Sequence, residues 1–255
     1  GLKNEFKIDI SKGLNKVIKL LKVDHLKLWW PSGHGDQQLY NFKVNFLFNG
    51  SALNLEKQIG FRSVEITREK DSKGESFFVK VNGKPIFLKG ANWIPADSFT
   101  TRLKKEDYKS LLLSAVDANM NTLRVWGGGI YEPESFYKIC DELGILVWQD
   151  FMFACSLYPA NKKFLNSVEK EASYQIQRLK SHACIILWCG NNEVADAWFN
   201  WGWKEKLPND LWNDYKTLFH SILPMVCKDY DPKRLYWPSS PGHKIQPPMD
   251  GQLYG

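Results

Sequence analysis

Ile185-Ile186-Leu187-Trp188-Cys189-Gly190-Asn191-Asn192-Glu193 is an apolar run that stops abruptly at two amides and a carboxylate. Its β-branched and aromatic residues predict a buried parallel strand. In barrels of such strands the first polar side chains beyond the strand enter the pocket at its C-terminal end. Glu193 is on that ground the leading catalytic candidate. The same residues also suit a helix start, with Asn192 as the cap and Glu193 at the positive end of the helix dipole. The neighbouring strands have to decide.

Outward from this run, strand and helix alternate. Pro85-Ile86-Phe87-Leu88-Lys89-Gly90-Ala91-Asn92-Trp93 reads as a strand, and residues 105–119 carry a helical apolar face of Tyr108, Leu111, Leu112, Ala115 and Val116. Thr122-Leu123-Arg124-Val125-Trp126 precedes a helix entered at Pro133, and Ile145-Leu146-Val147-Trp148-Gln149-Asp150 precedes one that ends near His182. A helix from about Asn209 to Lys228 with a kink at Pro224 follows the opening run, and Arg234-Leu235-Tyr236-Trp237 begins a fifth strand. Such alternation means parallel strands with crossover helices, in an eight-fold barrel or a doubly wound sheet. Asn92-Trp93, Arg124 with Trp126, Asp150 and Asn192-Glu193 leave four strands at one end, which favours the barrel. Gly127-Gly128-Gly129 follows a strand but lacks the phosphate-binding spacings, and is read as close backbone packing at the pocket.

The first part of the chain has a different period. Phe6-Ile8-Ile10, Val17-Ile18-Lys19-Leu20, Leu26-Leu28-Trp30, Phe42-Val44-Phe46-Phe48 and Phe61-Val64-Ile66 are short alternating runs separated by turns, Asn49-Gly50 among them. They predict an immunoglobulin-like β-sandwich over residues 1–75, ended by a charged linker at 68–75, with an incomplete (β/α)8 barrel of about five strands over 76–255. Asn82-Gly83 marks a hairpin turn.

Composition narrows the function classes. The 255 residues carry a net charge of +6 from 34 basic and 28 acidic side chains, without a basic block or arm, so nucleic acid is not an expected partner. No run approaches the eighteen apolar residues of a membrane span. The five cysteines show no CxxC pair and the five histidines no metal-ligand spacing, so no metal or cofactor is expected and the cysteines are read as buried apolar residues. Cys184 and Cys189 should face opposite sides of one strand. Asn49-Gly50-Ser51 is a glycosylation sequon, and the chain opens on Gly1, as a piece of a longer protein would. Eleven Trp and ten Tyr are the outlier, and flat amphipathic rings at a pocket rim suit sugar faces as well as cores.

Carboxylates at strand ends with aromatic walls suit glycosidic bond cleavage, in which one acid protonates the leaving oxygen and another attacks or activates water. An acid role for Glu193 needs its pKa raised, and burial against Trp188 or Trp126 would do that. Asp150 is the other well-placed carboxylate, as catalyst or as a structural acceptor held by Arg124 or backbone amides. A serine-nucleophile elbow is absent from the sequence.

Arg124-Val125-Trp126-Gly127-Gly128-Gly129-Ile130-Tyr131-Glu132, Trp148-Gln149-Asp150-Phe151-Met152-Phe153-Ala154, Trp188-Cys189-Gly190-Asn191-Asn192-Glu193, the stretch from Gly90-Ala91-Asn92-Trp93 to Phe99, and Trp29-Trp30-Pro31 together resemble the lysosomal-type β-mannosidases of glycoside hydrolase family 2. The resemblance covers most of the chain. It implies hydrolysis of terminal β-linked mannose from oligosaccharides by a retaining two-carboxylate mechanism, in the lysosome. It makes Glu193 the acid/base and Asn192 the contact to the sugar 2-hydroxyl. Trp126 and Asp150 would line the mannose subsite, with Arg124, Asn92 and Trp93 beside them and Trp201 in a leaving-group wall. Family 2 galactosidases and glucuronidases share the Asn-Glu pair, and a non-catalytic carbohydrate-binding piece is the other alternative. The family barrel has eight strands with its nucleophile glutamate near the seventh. This chain stops at Leu253-Tyr254-Gly255 after strand five, so the nucleophile and the rest of the parent chain are expected to be missing, and the fragment inactive by itself.

Overall fold

The computed structural model of the chain describes residues 3–13 and 15–242. The expected end at Leu253-Tyr254-Gly255 lies outside the described residues.

Five strands, β6 (Gly90–Trp93), β7 (Thr122–Val125), β8 (Leu146–Asp150), β9 (Ile185–Cys189) and β10 (Leu235–Trp237), form one parallel sheet in the order of the chain. Sequential order is what repeated right-handed crossovers without reversal produce, so the doubly wound alternative falls. The crossovers carry α1 (Lys105–Asp117), α2 (Glu134–Leu143) and α3 (Lys162–Leu179). Between β9 and β10 come α4 (Val194–Asn200), α5 (Trp203–Lys206), α6 (Asp210–Thr217) and α7 (Leu223–Tyr230). A five-residue π-helical turn at Leu218–Ile222 joins α6 to α7 and puts Pro224 at the start of α7. The expected kink takes that form: proline lacks the N–H an α-helix interior needs, and a widened turn before it absorbs the mismatch.

The two faces of the sheet have different covers. Leu123, Val125, Val147, Ile185, Trp188 and Tyr236 pack with helical residues such as Leu112, Phe136, Ile176 and Leu223 in the main core. Leu146, Leu187, Cys189 and Trp237 belong to a second core with Trp29, Val79, Val81 and Ile86. That second cover is a small antiparallel sheet of β3 (Val64–Thr67), β4 (Phe78–Val81) and β5 (Lys84–Ile86). The β4–β5 hairpin turns at Asn82-Gly83, both in the left-handed region. Asn82 is fixed there, because its Oδ1 accepts from the Ser63 N–H and its Nδ2 donates to the Trp29 carbonyl. Trp29 is fully buried with its indole N–H on the Asp141 carbonyl, and the Arg62 guanidinium donates to the Ala183 and Ile185 carbonyls. These bonds anchor the N-terminal part of the chain beside the starting end of β9.

One expectation needs revision, and another is met in part. Residues 85–93 are not one strand, because β5 ends at Ile86 and β6 starts at Gly90 in the other sheet, with Phe87 exposed at the switch. Of the alternating runs before residue 64, the described structure pairs β1 (Tyr40–Phe48) with β2 (Ser51–Ile59), in register around Asn49-Gly50. Both turn residues have positive φ, the requirement of a two-residue hairpin turn. Among the described residues the runs at 6–10 and 17–20 form no strand, and Phe6 and Leu20 are exposed. An alternating face becomes a sandwich only against a second apolar sheet. Here β1 and β2 form a ribbon whose Phe42, Phe46, Leu53 and Leu55 have no facing layer among the described residues. The expected boundary near residue 75 falls in the connection between β3 and β4.

Candidate active site

The carboxyl ends of β6, β7, β8 and β9 are tied together by one guanidinium. Arg124, near the end of β7, donates from Nη2 to Asp150 Oδ2 at 2.8 Å and from Nε to Oδ1 at 3.2 Å. Its Nη2 also reaches Asn192 Oδ1 at 3.1 Å, and Nη1 lies 3.5 Å from Asn92 Oδ1. Asp150 is fully buried and takes two more donors, the Gly127 N–H at 3.0 Å and the Trp148 indole at 3.1 Å. Burial pushes this carboxyl up, and Arg124 and the Gly127 amide pull it back. The Cys189 thiol pulls the same way, and the four hydrogen bonds to its oxygens come from N–H groups, so a proton on either oxygen would face a donor. Of its two sequence readings, the geometry matches the structural acceptor.

Gly127 can present its amide here because it lacks a side chain: a Cβ would lie 2.6 Å from the Phe153 carbonyl and 2.8 Å from that of Phe151. The Gly127-Gly128-Gly129 segment is thus close backbone packing, with the Trp126 ring lying directly over Gly128.

Beyond β9 the chain makes a sharp entry into α4. Asn191 is fully buried; its Oδ1 accepts from the Val194 N–H and the Ser239 hydroxyl, and its Nδ2 donates to the Pro238 carbonyl. The helix-start reading is therefore met by Asn191 rather than Asn192. Glu193 is the N-cap residue, with φ 62° and ψ 5°, and its N–H donates to the Ser240 carbonyl at 3.0 Å. This left-handed turn, rare for a residue with a long side chain, brings the carboxyl back over the strand ends. Glu193 Oε2 accepts from Asn192 Nδ2 at 3.1 Å and lies 3.3 Å from the Cys155 Sγ. Asn192 is oriented by Arg124 on its oxygen, which leaves its amide N–H₂ to face Glu193 and Cys155. One network runs Asp150, Arg124, Asn192, Glu193.

The structure brings Glu193, Asn192, Arg124, Asp150 and Asn92 together. Trp126 extends β7 beside them, half-buried and bonded through its N–H to the Trp93 carbonyl. Trp93 itself points elsewhere: its indole donates to Glu132 Oε1 at 2.8 Å and packs on Tyr108 and Phe136, inside the helical layer. Consecutive strand residues face opposite sides, so Asn92 and Trp93 cannot both enter the pocket. Trp188 also faces the helices, with its indole N–H on Asp231 Oδ2 and its ring stacked on Phe151. It does not bury Glu193. Trp201 ends α4, 44% exposed, in edge contact with Trp203.

Cys184 and Cys189 do lie in opposite cores, and four of the five cysteines are buried. Cys155 is the exception, exposed and with φ 47° on the loop after β8. Its position beyond a strand end was the signal available in the sequence. Among the described residues Asp141, His182 and Cys184 group their ligand atoms, at the starting end of β9. His182 Nδ1 is 2.6 Å from Asp141 Oδ2, the Cys184 N–H is on Asp141 Oδ1, and burial pushes the Cys184 thiol well up. The His182 Nδ1 and the Asp141 carboxylate are engaged with each other, and the Cys184 thiol donates to the Tyr137 carbonyl.

Residues 3–62 match the family model described as "Glycosyl hydrolases family 2". The β-mannosidase of Bos taurus is 46% identical over 96% of this chain, and β-mannosidase B of Aspergillus fumigatus 40% identical over 91%. The crystal structure of a β-D-mannosidase from Dictyoglomus thermophilum superposes with a TM-score of 0.76 at 48% identity, covering 86% of this chain and 27% of that one. The chain spans 29% of the length of each of the two curated relatives.

Proposed function

We propose, from the premise that this chain is homologous to a segment of the β-mannosidases of glycoside hydrolase family 2, that it supplies the acid/base half of a retaining exo-β-mannosidase. The whole protein would remove terminal non-reducing β-D-mannose from oligosaccharides, in the lysosome. Glu193 protonates the glycosidic oxygen as mannose leaves, then takes a proton from the water that releases the glycosyl-enzyme. Asn192 holds the sugar 2-hydroxyl, Trp126 offers a ring to the sugar face, and Arg124, Asp150 and Asn92 set the floor. Trp201 stands eight residues beyond Glu193 in the chain as a wall for the leaving group. The sheet is read as an arc of a (β/α)8 barrel within residues 76–255, and residues 1–75 as part of an immunoglobulin-like sandwich.

The supporting observation is the Asp150–Arg124–Asn192–Glu193 network at the carboxyl ends of sequential parallel strands. The nucleophile must be a second carboxylate about 5 to 5.5 Å from Glu193. Asp150 is unsuited, since both its oxygens are filled by N–H donors and none of its surface is open. On the family resemblance, the nucleophile is assigned to a part of the parent outside this sequence. In the full-length protein, Glu193→Gln should cripple hydrolysis of aryl β-mannosides with poor leaving groups and spare the glycosylation step for activated ones. Equal loss on both, or a preference for β-galactosides or β-glucuronides, would defeat the assignment.

A further inference from the structure

The loops after β8 and β9 are zipped together before they reach the site. The Asn192 N–H donates to the Phe153 carbonyl at 2.9 Å, and the Cys155 N–H to the Asn192 carbonyl at 3.0 Å. Cys155 and Glu193 both sit at positive φ, 47° and 62°, a conformation that residues with side chains rarely adopt and that persists only where surroundings impose it. Those two turns bring a thiol to 3.3 Å from Glu193 Oε2, the oxygen that already accepts from Asn192 at 3.1 Å. The other oxygen, Oε1, has no partner among the described residues.

We propose that Cys155 is a positioning residue for Glu193: its S–H donates to Oε2 and, together with the Asn192 amide, anchors that oxygen so that Oε1 is the one that exchanges the proton. The inference rests on Glu193 being the acid/base. When the proton on Oε1 passes to the glycosidic oxygen, the carbon–oxygen bond of the leaving group breaks and the charge left on the carboxyl is shared with Oε2, where two donors wait. In the second half of the cycle Oε1 takes its proton back from water. A thiol suits the place for two reasons. Burial and the adjacent Glu193 carboxylate push it up, so it remains a donor through the neutral and acid range. Sulfur also spans a 3.3 Å gap that a hydroxyl would cross less well.

The test uses the full-length protein with Cys155→Ala, Cys155→Ser and Glu193→Gln, and an aryl β-mannoside with a poor leaving group. Losing one hydrogen bond to a charged group should lower kcat about ten-fold in Cys155→Ala while KM changes by less than roughly two-fold. Cys155→Ser keeps a donor at longer reach and should recover part of that loss, which a packing role would not produce. If Cys155→Ala matches the unaltered enzyme while Glu193→Gln is crippled, the positioning role is wrong. Should Glu193→Gln be active, the assignment of Glu193 fails instead. A second measurement needs no turnover. Cys155 faces Glu193, with the Tyr158 phenol the other titratable group near it. Alkylation of Cys155 by iodoacetamide, followed by mass spectrometry, should therefore shift to lower pH in Glu193→Gln; an unmoved profile overturns the contact.

Discussion

Asp150→Asn separates a structural carboxylate from a nucleophile. The exchange keeps the shape and removes the charge. Asn offers one acceptor oxygen where Asp150 has two, and its N–H₂ would face the donors of Arg124, Gly127 or Trp148. Removing one partner of a buried ion pair costs about 3 to 5 kcal/mol, because the other charge is left uncompensated. The Arg124 side chain is 17% exposed and gains some water in return, so the low end applies, about 3 kcal/mol. For a chain of this size that is a drop in melting temperature of roughly 6 to 12 °C. The assay is thermal denaturation followed by near-ultraviolet circular dichroism. Arg124→Met should cost a similar amount, and the double variant less than the sum, since the two groups share one interaction. A melt for Asp150→Asn within roughly 2 °C of the unaltered protein would refute the reasoning. So would a fluorosugar adduct found on Asp150.

Three further outcomes follow from the same contacts. Trp93→Ala should destabilise by about 3 kcal/mol through the cavity left against Tyr108 and Phe136, whereas Trp126→Ala should melt close to the unaltered protein and lose mannose binding in calorimetry. Gly90→Ala should disrupt the β6–β7 pairing, because a Cβ there falls 1.7 Å from the Thr122 carbonyl oxygen; a far-ultraviolet spectrum and urea midpoint equal to those of the unaltered chain would contradict this. Burial alone would lower the His182 pKa, but hydrogen bonds to Asp141 and Glu134 raise it overall, while His182 first among causes lowers that of Glu134. A raised histidine contributes stability that is full below its unfolded pKa of about 6.5 and is lost as pH rises through the folded value. The lowered Glu134 contributes above its unfolded value of about 4.3 and loses it on acidification. The urea midpoint should therefore be higher at pH 5.5 than at pH 8.5, and His182→Gln should flatten the difference.

The sequence carried the sheet well because its signals were local. Continuous apolar runs that end in polar residues mark β8 and β9, and Pro133 is the residue before α2. Side-chain direction was legible only by parity. Asn92 and Trp93 are adjacent, so one of them had to face the helices, and Glu132 took the indole. Parity also has limits: the β8–β9 pairing shifts register between Val147 and Trp148, and no composition rule locates a bulge. The N-terminal runs were legible in part: β1 and β2 pair around Asn49-Gly50 as their alternation predicts, whereas a second sheet to cover them is a property of the surroundings that alternation does not carry.

Catalytic and structural carboxylates cannot be told apart by residue type or by position at a strand end, since Asp150 and Glu193 share both. The discriminating quantity is how many donors each oxygen must serve. Asp150 meets four N–H groups over its two oxygens and is sealed, so its charge fixes the Arg124 guanidinium that ties the strand ends together. Glu193 has both donors on one oxygen and is half-buried, which leaves Oε1 able to exchange a proton with whatever enters. Arg124 connects the two roles: by fixing the Asn192 oxygen it decides which end of that amide Glu193 meets. A substitution at Asp150 should then reach the proposed proton-transfer group through two side chains, Arg124 and Asn192, as a loss of kcat larger than the loss of fold accounts for.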